Sequence, residues 1–94
     1  MAGRRRAEAL DSQAAAIADE NRRMKRLRIL VNLTTAELMQ SDLTLAEARA
    51  IVERMRGAAL ALFPGSEATF ELLYGSRFER IIRGRFGADA ERPQ

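Results

Sequence analysis

The chain has no cysteine and no histidine. Without cysteine there is no disulfide to staple a small core and no thiolate to hold a metal. A reducing compartment fits that composition, and the expected location is cytoplasmic. Without histidine the commonest general base, the commonest metal ligand and the usual near-neutral pH switch are missing. Nucleophilic triads and zinc sites are excluded on the same ground. No Gly-rich phosphate loop replaces them, because Gly84-Arg85-Phe86-Gly87 follows no strand and opens no helix. Glu47, Glu53, Glu67, Glu71 and Glu79 stand singly, at spacings that suit caps and i, i+4 partners. The expectation is a non-enzyme with no cofactor, no metal and no small-molecule substrate.

Long apolar runs are also missing. No stretch reaches the eighteen or so residues that a membrane span needs. Arg4, Arg5 and Arg6 have no apolar segment behind them, since Glu8, Asp11, Ser12 and Gln13 interrupt the alanines, so no secretory signal is expected. Aromatic residues make up only 5% of the chain, and none lies near residues 22–28 in sequence, where stacking on nucleic-acid bases would call for one. A membrane surface is a poor partner too, since residues 10–28 offer only Leu10, Ile17, Met24 and Leu27 as large apolar groups.

What is present is arginine, alanine and helical periodicity. The formal charge is +3, and fifteen of the sixteen basic residues are arginine. Arginine together with 17 alanines is also what GC-rich coding produces, which weakens the inference from charge to nucleic acid. The charge is unevenly spread. Residues 1–28 carry eight bases and four acids, whereas residues 66–94 balance at five and five. The N-terminal third is therefore a different kind of segment.

Ninety-four residues make one domain at most. A chain this short buries only ~60% of its unfolded surface, which favours oligomers. Residues 1–9 read as a disordered basic N-terminus and 88–94 as a tail. Residues 10–87 read as one helical domain, with 10–28 an arm or oligomer contact and 29–87 the packed core. No Pro or Gly interrupts Leu10 to Gln40. Ile17, Met24, Val31 and Leu38 recur every seventh residue, with Leu27 and Thr34 between them. That spacing resembles a short heptad seam, and Ile17, Met24, Leu27, Val31 and Leu38 are the expected oligomer contact. Ile29-Leu30-Val31-Asn32-Leu33 is apolar nearly all round a helix, which implies burial on several sides.

Further on, Thr44-Leu45-Ala46-Glu47 reads as a capping box opening a second helix, and Phe63-Pro64-Gly65 as its stop. Gly57 is an interior weak point of that helix or a place of close approach. Ser66 should cap a short helix that Gly75 ends, and Ser76-Arg77-Phe78-Glu79 should open the last one as a second box. Gly87 is the expected stop. In that last helix Arg77, Arg80 and Arg83 fall on one face and Phe78, Ile81, Ile82 and Phe86 on the other. Arg85 should serve its own helix end. The fold class is all-α: a three- to four-helix domain with a long N-terminal helix, a helical hairpin and a short C-terminal helix.

Residues 27–38 admit a rival. Leu27, Ile29, Val31 and Leu33 alternate with Arg26, Arg28, Leu30 and Asn32, and Thr34-Thr35-Ala36-Glu37 would then cap a helix. Strand, helix, helix resembles the ribbon-helix-helix DNA-binding proteins. In that family paired strands from two subunits enter the major groove. The resemblance implies Arg26, Arg28 and Asn32 as base-reading residues. Against it, the first helix would span only about two turns, and Leu30 breaks the polar outward face. Continuous helix is the preferred reading.

The functional expectation is a helical protein–protein interaction module, homodimeric and acting as adaptor, regulator or assembly factor. A dimeric DNA-binding regulator using residues 22–32 is the alternative. Candidate contacts for another protein or nucleic acid are Arg22, Arg23, Lys25, Arg26 and Arg28, with Arg77, Arg80 and Arg83.

Overall fold

The computed structural model describes residues 2–87; Met1 and the expected tail over 88–94 lie outside the described residues. Helix α1 runs from Ala2–Leu38, α2 from Leu45–Leu62, and α3, Glu67–Phe70, passes through a π-helical turn at Glu71–Gly75 into α4, Ser76–Phe86. The all-α class holds, and no strand occurs among the described residues. Residues 27–33 are helical, so the ribbon arrangement considered for them is absent. Local alternation there gives way to the 3.6-residue period of a chain with no breaker between Arg4 and Leu38.

Interhelical side-chain contacts fix the topology. Arg23 reaches the Leu62 carbonyl at 3.4 Å and Arg54 meets Glu37 at 3.5 Å, so α1 and α2 are antiparallel. Arg56 pairs with Glu71 and Arg49 lies 3.4 Å from Glu79, so residues 67–86 return antiparallel to α2 as a third rod. The core is one cluster: Leu27, Val31 and Leu38 from α1; Ala48, Ile51, Val52, Met55 and Ala59 from α2; Phe70, Phe78 and Ile82 from the third rod. Phe78 is fully buried at its centre.

The Thr44 box forms as read. The Glu47 amide donates to Thr44 Oγ1 at 3.1 Å, and the Thr44 amide donates to Glu47 Oε1 at 3.2 Å. Two other expected caps do not form. The Ser66 hydroxyl donates to the Phe63 carbonyl instead of accepting from the next turn. Ser76 sits inside a continuous right-handed segment, its hydroxyl 3.5 Å from the Leu72 carbonyl. Gly75 therefore does not end a helix. A Cβ there would meet the Glu71 carboxylate, the far end of a flexible side chain. The Glu71 carboxylate folds back over the widened turn and pairs with Arg56.

α1 starts at Ala2, eight residues before the Leu10 start read from the sequence, and every side chain from Gly3 to Arg22 is exposed. The bundle covers only the C-terminal part of the helix, from Arg23 on. At 1.5 Å per residue, roughly 30 Å of helix projects past it.

Phe78→Ala should cost about 3–5 kcal/mol, read as a lower urea midpoint. Gly57→Ala should add about 0.5–1 kcal/mol, because Gly57 is helical and its Cβ would meet nothing within 4 Å.

Candidate interaction surfaces

The last carbonyls of a helix lack intrahelical partners, and neither α1 nor α2 has a basic residue in its last turn. Arginines from other elements take that role. Arg23 of α1 donates to the Leu62 carbonyl at the end of α2, with its guanidinium 5.4 Å from the Phe63 ring centre and Asp19 at 3.2 Å from its Nε. Arg85 of α4 donates to the Leu38 carbonyl at the end of α1 and lies over Phe86. The sequence had assigned Arg85 to its own helix end. The packing of α4 beside α1 redirects it, which periodicity within one helix cannot show. Arg23, a candidate partner contact, is committed to the fold in the same way.

The remaining cations differ in what holds them. Arg22 meets Asp19 at 3.5 Å. Lys25, Arg26 and Arg28 are exposed and make no ion pair among the described residues. On α4, Arg77 lies over the Tyr74 ring at 5.9 Å and Arg83 meets Glu79 at 3.6 Å, while Arg80 is exposed. The clusters on α1 and α4 stay on separate rods.

The expected oligomer contact splits in two. Leu27, Val31 and Leu38 are buried in the chain's own core at 8, 6 and 1% exposure. Ile17 and Met24 are exposed at 52 and 39%, and Leu10, one heptad earlier, at 58%. The same seven-residue stripe thus serves the bundle at one end and faces solvent at the other. Leu10 continues the exposed stripe to the point where the arm was expected to begin.

Three grooves stand out among the described residues. An apolar groove of ≈ 170 Å³ opens where α1 meets the top of the third rod, lined by Met24, Leu27, Phe63, Phe70, Leu73 and Tyr74 among others. A broader groove of ≈ 530 Å³ between α1 and α2 is lined by Arg26, Ile29, Leu30, Ala58, Ala61 and Leu62. Leu33, one turn beyond Ile29, extends its apolar edge at 56% exposure. The apolar run at residues 29–33 had implied burial on several sides. In the structure only Val31 is buried, and Ile29 and Leu33 remain exposed. Alanines 58 and 61 leave that side of α2 low. The third groove is charged: Arg49, Glu53, Arg56, Glu71 and Glu79 line it and pair with one another. It ties α2 to the third rod, with two guanidinium groups set against three carboxylates.

Removing a cap should differ from removing an exposed cation. Arg85→Ala and Arg23→Ala should each cost about 1 kcal/mol, whereas Arg26→Ala should stay within about 0.5 kcal/mol, all by urea unfolding.

No candidate metal-binding group of acidic side chains and no helix long and apolar enough to cross a membrane occurs among the described residues. No protein-family model, curated protein or solved structure matches the chain.

Proposed function

We propose that this protein is a helical protein–protein interaction module, a homodimeric adaptor whose α1–α2 face binds an acidic amphipathic helix of another protein. The observation that carries this reading is the groove between α1 and α2. Its edge on α1 is Arg26, Ile29 and Leu30, at i, i+3 and i+4, and exposed Leu33 follows them at i+7. Its other wall is small and apolar, Ala58 and Ala61 with Leu62.

That shape suits an incoming helix, whose apolar ridge fills the low side while its flanks meet cations. Arg22 and Arg26 supply those cations on the exposed face of α1. Exposed contiguous apolar surface on a small chain marks an interaction site. The charge beside it favours an acidic partner over a basic one. Nucleic acid fits less well, because the aromatics that could stack on bases, Phe63, Phe70 and Tyr74, line the other apolar groove.

The probe is a fluorescent synthetic helix bearing leucines at i, i+3, i+4 and i+7 with flanking glutamates, titrated by anisotropy. Binding should weaken as salt rises. Ile29→Glu and Leu33→Glu should each weaken it by at least about tenfold while the helical circular dichroism is kept. A 20-base-pair duplex that binds more tightly than the peptide, with a steep salt dependence and no response to Ile29→Glu, would replace this reading with a nucleic-acid one.

A further inference from the structure

We infer that two copies associate antiparallel through the projecting half of α1, about a two-fold axis at Ile17, with each copy's first turns covering the apolar groove of the other. This rests on the homodimer reading above and gives it a geometry. The projecting segment makes no contact with the bundle before Arg23. Most helical stability in proteins comes from packing an amphipathic face, and isolated helices are marginal in water. The ion pairs Arg4–Glu8 and Asp19–Arg22 are exposed and local, so they add little.

Three features select a second copy in this orientation. The first is spacing. Leu10 and Met24 lie seven residues either side of Ile17. An axis at Ile17 therefore sets Leu10 of the partner subunit level with Met24 and Ile17 against itself. This is an isologous contact in which both stripes are used completely.

The second is the groove. Met24 is at once the last exposed member of the stripe and a wall of the apolar groove with Leu73 and Tyr74. Leu73 is 54% exposed. The antiparallel alignment carries the partner's Leu10 and its preceding turns alongside that opening.

The third is charge. In the antiparallel pair, residues 22–28 run beside residues 6–12 of the second copy, which include Glu8 and Asp11. Asp11 and Lys25 each follow directly after a stripe residue, Leu10 and Met24, so they emerge on the same flank and meet across the axis. A parallel pair would instead stack both copies' Arg22, Arg23, Lys25, Arg26 and Arg28 on one another. Arg6 also comes level with Arg28, a like-charge approach that opposes this register toward the ends of the overlap.

The chain has no cysteine, so introduced thiols report unambiguously. A disulfide forms only when Cα atoms approach within about 7 Å. On mild oxidation, a mixture of Leu10→Cys and Met24→Cys chains, one of them tagged, should cross-link to each other. Leu10→Cys alone should not cross-link to itself. Leu10→Cys chains that cross-link to themselves would show a parallel pair and overturn the geometry. A sedimentation dimer that gives no Leu10→Cys–Met24→Cys product would overturn the geometry while leaving the homodimer reading intact. A monomer at about 100 μM would overturn both. Ile17→Asp should abolish the dimer with the helical spectrum of the bundle retained; a dimer that survives it also overturns the inference.

Discussion

The rest of the structure depends on a single mismatch of length: α1 has 37 residues, and the bundle it belongs to covers it only from Arg23 onward. No glycine or proline between Arg4 and Leu38 stops the helix where the contacts stop. The apolar stripe continues with it. Val31 and Leu38 are core residues, and Met24, Ile17 and Leu10 are their solvent-facing continuation. A stripe that serves folding at one end and is bare at the other is the physical basis for reading the chain as one that associates with itself.

Arginine does most of the interhelical polar work. Arg23 and Arg85 reach the carbonyl ends of neighbouring helices, and Arg49 and Arg56 join α2 to the third rod through Glu79 and Glu71. A long, planar cation that stacks on Phe63 or Phe70 while donating elsewhere is suited to a small bundle with little core to spare. The basic composition is thus partly structural. Lys25, Arg26 and Arg28 are among the exposed cations that pair with no acid among the described residues and so stay open to a partner.

The sequence made much of this legible, and the failures have identifiable causes. Periodicity located α1, α2 and the amphipathic α4, and Thr44 with Glu47 marked the start of α2, because those signals are local. Gly75 and Ser76 were misread because a box pattern says nothing about the segment before it; in the structure the chain passes from α3 through Glu71–Gly75 into α4 without a break. Ile29 and Leu33 looked buried because the run 29–33 shows no polar side, and only the placement of α2 decides which residues of an all-apolar turn are covered. The roles of Arg23 and Arg85 were equally invisible, since their acceptors lie 39 and 47 residues away in the chain. The broad α1–α2 groove could not be seen either, because alanines 58 and 61 become one of its walls only when α1 lies beside them.

The central claim is that the projecting half of α1 is ordered by association. Amide hydrogen exchange over residues 6–20, followed as a function of protein concentration, tests it most directly. An unpacked helical segment opens readily and exchanges fast. The account predicts protection that rises with concentration along the same curve as dimer formation, while amides of α2 stay protected throughout. Exchange in residues 6–20 that is fast at every concentration, or slow at every concentration, would contradict it.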